Sequence, residues 1–278
     1  WSSDVCSSDL SMKVFRAEWR KLRRPTLFLG SIGAVVGVTG LVTSLLFLLI
    51  DSQSGNAERG MRITREVLQL SSGLSLGFSN SAGLLGLVAL CVFAAQTAQE
   101  YTYGTLRNLL VRQPRRITLL IGKYVSMVTF SLITVLVSAV TSIGISFALS
   151  GRAKVLTDAW VTSDARAELL RTFLNVLIST VGYGTTGMIL GLLLRSPISS
   201  ISIGVAWLLV VESIVAIAWA PSAKWMLGQL FSVISSGGAP IGMSDTPTYS
   251  QALIRVVIYL ATAGVAVGWL FRKRDVSN

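Results

Sequence analysis

The 278-residue chain is 52% hydrophobic and only 13% charged, with a mean hydropathy of +0.66; a soluble domain would carry about a quarter charged residues, so a water-soluble globule is excluded. The net charge of +11 is spread between apolar runs rather than gathered in a patch, which points to membrane topology rather than to nucleic acid. With no histidine and only Cys6 and Cys91, neither a disulfide framework, a Cys/His metal site nor a histidine-dependent protease is expected.

Residues 1–10, Trp1 to Leu10, match at all ten positions the in-frame translation of a common sequencing-adapter oligonucleotide. Residues 1–11 are therefore read as a non-native tail, with Met12 as the expected start. Residues 12–26 predict a short basic amphipathic helix in the headgroup layer. Phe15, Trp19 and Leu22 recur at helical spacing, and Lys13, Arg16, Arg20, Lys21, Arg23 and Arg24 supply the charge. Phe15, Trp19, Arg20 and Arg23 are the expected interfacial anchors, and Pro25 closes the helix. The expected fold is all-α: a six-span transmembrane region over residues 27–278.

The spans are predicted at Leu27–Ile50, Leu74–Thr97, Ile117–Leu149, Thr172–Leu194, Ile198–Ala220 and Gln251–Phe271. Ser79, Asn80 and Ser81 weaken the second. The connector Arg195-Ser196-Pro197 is very short. Residues 221–249 predict a short helix returning into the outer interface, carrying Trp225, Met226, Leu227, Leu230 and Phe231, followed by a turn at Gly237-Gly238. Counting Lys and Arg by side gives 15 against nine, and the nine are diluted by acids in longer loops. The positive-inside rule then places both termini in the cytoplasm.

The segment after the second span reads Gln99-Glu100-Tyr101-Thr102-Tyr103-Gly104-Thr105-Leu106-Arg107-Asn108-Leu109-Leu110 and runs on to Pro114-Arg115-Arg116. Leu106, Leu109 and Leu110 share one face of a short helix whose apolar side needs a cover, either the membrane surface or a partner's groove. Glu100, Gly104-Thr105-Leu106, Pro114-Arg115 and Gly122-Lys123, together with the six-span layout, resemble the ABC-2 type permease family over nearly all of residues 12–278. That resemblance implies the membrane subunit of an exporter in a bacterial cytoplasmic membrane, working as a pair of permease copies or homologues with a separate ATPase subunit. Glu100, Gly104, Thr105, Leu106, Leu109 and Leu110 would couple to that ATPase. ATP and magnesium would sit on the partner, because this chain has no phosphate-binding loop of the G-x-x-x-x-G-K-[ST] kind. No cofactor, metal or catalytic residue is expected in the chain itself. The simpler reading of Glu100 is an ion pair with Arg107 or Arg112.

Glu212 is the acid deep in a span, and an unpaired carboxylate there is costly. It reads either as a translocation-path or gating residue, or as a group near the outer interface, protonated or paired with Arg255 or Lys224. Gly33/Gly37, Gly187/Gly191 and Gly264/Gly268 are candidate close-packing pairs. Two other functions stay open: an ion-gradient-driven secondary transporter, which would need more intramembrane charge than Glu212, and a membrane immunity or scaffold protein.

Overall fold

A computed structural model describes residues 14–50, 65–104, 116–238 and 247–273. Among them every regular element is helical, and six helices are long and apolar enough to cross a membrane: Pro25–Leu48, Gly73–Thr102, Ile117–Ser150, Ser163–Leu194, Pro197–Ala218 and Tyr249–Phe271. The elements are α1 (residues 14–22), α2 (Pro25–Leu48), α3 (Arg65–Gln69), α4 (Gly73–Thr102), α5 (Arg116–Ser150), α6 (Ser163–Leu194), α7 (Pro197–Val205), α8 (Glu212–Ala218), α9 (Leu227–Ser235) and α10 (Tyr249–Lys273). A π-helical stretch, Ala206–Val211, joins α7 to α8 into the fifth span.

Spans two and four are longer than hydropathy suggests. α4 continues past Thr97 to Thr102, because Glu100 lies on its buried side, where Lys123 pairs with it and also bonds the Gln96 backbone carbonyl. α6 starts at Ser163, capped by Thr162, whose hydroxyl accepts the Ala165 amide. Ser79, Asn80 and Ser81 do not interrupt α4. Their side chains donate back to the Leu76 and Phe78 carbonyls. The tight link between α6 and α7 uses Arg195 in the left-handed region at φ 56°, Ser196 as N-cap and Pro197 at the first helical position.

Two parallel helix pairs form the middle of the bundle. In the first, α2 and α5 meet through hydroxyls: Thr39 with Ser138 at 2.7 Å and Thr43 with Ser142 at 3.2 Å. A constant sequence offset means that the helices run the same way. On α2 the buried residues Ser31, Val35, Thr39, Thr43 and Phe47 fall every fourth position, the spacing of one helix face. In the second pair, α4 and α6 meet through glycines. A Cβ at Gly187 would overlap the Leu90 carbonyl, one at Gly191 would press on that of Ala94, and one at Gly86 would strike the Tyr183 ring. The offset is again constant, so these helices are parallel too. Of the three candidate glycine pairs, only Gly187/Gly191 makes an internal contact. Gly33, Gly37, Gly264 and Gly268 have open space where a side chain would go.

The two ends of the bundle close differently. At the end where α2 finishes, Phe47, Phe147 and Trp160 pack edge to face, and the Trp160 indole N–H donates to the Leu68 carbonyl at 2.9 Å. α9 packs instead on the middle of α4 and α6. Its Leu230, Phe231 and Ile234 are fully buried, with Phe231 against Tyr183 and over Gly182. The opposite end is closed by charge.

Gly187→Ala drives a methyl into backbone, so it should lower stability by about 1–3 kcal/mol. Gly37→Ala, facing open space, should leave the melting temperature in detergent unchanged or slightly raised. Equal melting temperatures for the two variants would contradict the glycine-mediated contact.

Candidate functional site

The charged end is built from three elements. α1 lies with Val14, Glu18 and Leu22 buried, one residue per turn, while Arg16, Arg20, Arg23 and Arg24 are exposed. Phe15 and Trp19 stack at 6.2 Å on the neighbouring, half-buried strip. The helix can approach α5 because Gly122 has no side chain: a Cβ there would stand 2.6 Å from Val14. The Ser126 hydroxyl, one turn on, sits 3.3 Å from the Phe15 carbonyl.

Lys123, beside that glycine, is 1% exposed. Its ammonium lies 2.7 Å from Glu100 Oε1 and 3.5 Å from Glu18 Oε2, and donates to the Gln96 carbonyl at 3.0 Å. Lys21 completes the group from the solvent side, 2.6 Å from Glu18 Oε1 and 2.7 Å from Glu100 Oε1. Among the described residues, two buried carboxylates thus face two ammonium groups, and one Glu100 oxygen receives both lysines. The charges balance, which is what makes their burial tolerable. Burial by itself would lower the Lys21 pKa, but Glu100 and Glu18 outweigh it and hold it above the ordinary 10.5. The stabilisation linked to Lys21 is therefore complete below pH 10.5 and lost only as the pH rises through the higher folded-state value. The tie between α1 and the bundle is consequently intact across the physiological range.

Of the residues expected to couple to a partner, the structure describes Glu100 and Gly104. Thr105, Leu106, Leu109 and Leu110 lie outside the described residues, as do Arg107 and Arg112. Glu100 is paired with Lys21 and Lys123. Gly104 ends α4: its φ is +63° and its amide bonds back to the Tyr101 carbonyl, the left-handed stop that glycine adopts without strain. Beside it, the Arg195 guanidinium lies 5.5 Å over the Tyr101 ring. Residue-level reading missed Glu18 and treated Lys21 as one basic residue among several. The available signal was that Glu18 is the sole acid in residues 12–26 and stands four positions from both Val14 and Leu22.

Glu212 is a separate, second feature. It is 1% exposed and opens α8 where the π-helical stretch ends. Its Oε2 accepts the Gly228 amide at 2.7 Å, with the Leu227 and Gln229 amides alongside. The carboxylate thus caps the N-terminus of α9 across 16 residues of sequence, where the helix dipole favours negative charge. Arg255 does not serve it. That guanidinium donates to the Lys224 carbonyl and lies 4.3 Å over the Trp225 ring.

The chain belongs to the family described as Protein of unknown function (DUF2705), whose model matches residues 61–277. It is similar to the Uncharacterized protein YhcI of Bacillus subtilis (strain 168), with 25% identity over 214 residues that cover 72% of this chain and 67% of that protein. The family match takes in Glu100, Gly104, Lys123 and Glu212 and begins after α1 and α2.

Lys123→Met leaves two buried carboxylates facing one lysine and should cost about 3–5 kcal/mol, with much of that recovered by adding Glu100→Gln. Thermal melts of the two single variants and the double variant check it; purely additive losses would rule out the network. Glu212→Leu should loosen α9 without disturbing α1, which hydrogen exchange on α9 and α1 amides would resolve.

Proposed function

We propose that this member of the family is the membrane-spanning permease subunit of an ABC-2 type ATP-binding-cassette exporter, working in a bacterial cytoplasmic membrane with a separate ATPase. One observation supports the reading above the others: the ion network clamps the ends of α4 and α5, and α1 with them, at the base of residues 105–115. Force applied to that segment would reach two spans together, since the four charges cannot separate without exposing one of them unpaired. In this reading the Arg-rich end is cytoplasmic. Leu106, Leu109 and Leu110 enter a groove on the ATPase, and Gly104 sets the direction in which the chain leaves α4. ATP and magnesium stay on the partner. A second permease copy or homologue completes the path, and the chain does no bond chemistry. Glu100 acts through the clamp: it transmits motion rather than touching nucleotide.

The test is assembly. A tagged full-length chain, purified from its native membrane, should bring down a Walker-A protein in a fixed ratio, and the complex should hydrolyse ATP. Leu106→Asp with Leu109→Asp should abolish co-purification while leaving the melt of the permease unchanged. Glu100→Ala should keep ATP hydrolysis but break its link to transport. A native membrane complex without a nucleotide-hydrolysing subunit defeats the proposal.

A further inference from the structure

We propose that the crevice between α2, α4 and the start of the fifth span holds one acyl chain of an anionic phospholipid, whose headgroup rests at Arg23 and Arg24. The crevice has a volume of about 540 Å³ and is walled by Thr26, Gly30 and Val38 of α2, Leu87 and Cys91 of α4, and Val205 of α7. That volume falls within the roughly 300–1,000 Å³ of small-ligand sites. Its lining is apolar. The one polar side chain deep in it, Ser31, is already committed to the Leu27 and Phe28 carbonyls at 2.8 and 3.1 Å. Nothing inside calls for a polar guest, and a hydrocarbon chain satisfies every wall.

Length selects the kind of guest. From Thr26 to Val38 the wall of α2 rises about 18 Å, close to one leaflet's share, about 15 Å, of the hydrocarbon core. A helix from a second copy would call for a groove through the full thickness. Charge selects the headgroup. The lining begins at Thr26 of α2, directly after Arg23 and Arg24, which are exposed. The one acid of α1, Glu18, is buried and occupied by Lys21 and Lys123, so it does not neutralise this surface. Two exposed arginines next in sequence to the lining residue Thr26 of a leaflet-deep apolar slot match an anionic headgroup with its chain below. The site stands whether or not the chain works with an ATPase.

The full-length chain, delipidated in detergent, is titrated with phosphatidylglycerol or phosphatidylcholine of identical acyl chains, and bound lipid is counted by native mass spectrometry. One phosphatidylglycerol per chain should bind about tenfold tighter than phosphatidylcholine. Arg23→Gln with Arg24→Gln should erase that preference. Gly30→Phe projects into open space, and Leu84→Trp plugs the opposite wall. Each should remove the tight site without lowering the melting temperature, and having one plug on each wall guards against a misfolded variant. No preference in the unmodified chain, an unchanged preference in the arginine variant, or tight binding that survives both plugs overturns the proposal. So do plugs that split a dimer without changing lipid binding, which assign the crevice to a second copy.

Discussion

One Glu100 oxygen shared by two lysines is the constraint around which this end of the molecule is arranged. A charge in a low-dielectric setting must be matched or neutralised. Once Glu100 is placed on the buried side of α4, the positions of Lys21 and Lys123 follow from it. Lys123 can reach because Gly122 lets α1 lie close. Lys21 can reach because Glu18, one turn back, turns the buried face of α1 toward the same spot. The N-terminal helix is thus held to the bundle by ions on one face and presents arginines on the other. A helix of similar composition floating in the headgroup layer would be under no pressure to bury its acid.

The rest of the bundle is held by weaker and more distributed means. Between apolar helices in lipid no hydrophobic difference drives association, so close packing and hydroxyl pairs have to suffice. The two parallel pairs divide these devices between them. α2 and α5 use a ladder of Thr and Ser, each contact worth about 0.6 kcal/mol on average in membranes. α4 and α6 use glycines that let one backbone touch the other. Gly33, Gly37, Gly264 and Gly268 lie on faces that this chain leaves open.

Glu212 shows how an acid deep in a span is held by backbone amides. The extra residue per turn in a π-helical stretch shifts the side chains that follow it around the helix axis, and here the residue that follows is Glu212, directed at the free amides of α9. The short helix and one carboxylate oxygen, Oε2, satisfy one another, as an N-terminus and an anion do, while Oε1 is buried without a hydrogen-bond partner among the described residues. That mutual dependence fastens α9, with its buried Leu230, Phe231 and Ile234, to the fifth span.

Hydropathy alone settled the class of this protein, the number and approximate limits of its apolar helices, the tight Arg195-Ser196-Pro197 link and the short helix before the last span, because each is local and each stretch of about 20 apolar residues carries its own signal. Its depth in an apolar run marked Glu212 as a position that demands an explanation, and the motif resemblance marked Glu100 and Gly122-Lys123. What hydropathy left open was the rotation of each helix. In a bilayer the lipid-facing and protein-facing sides are equally apolar, so periodicity does not show which side is buried. Only the assembled bundle decided that Glu18 points inward, that Glu100 meets Lys21 and Lys123, that Gly187 and Gly191 rather than the other glycine pairs carry a contact, and that Glu212 binds amides instead of Arg255. All of these join residues that are distant in sequence, and they are fixed by how neighbouring helices turn toward one another rather than by anything written along a single one.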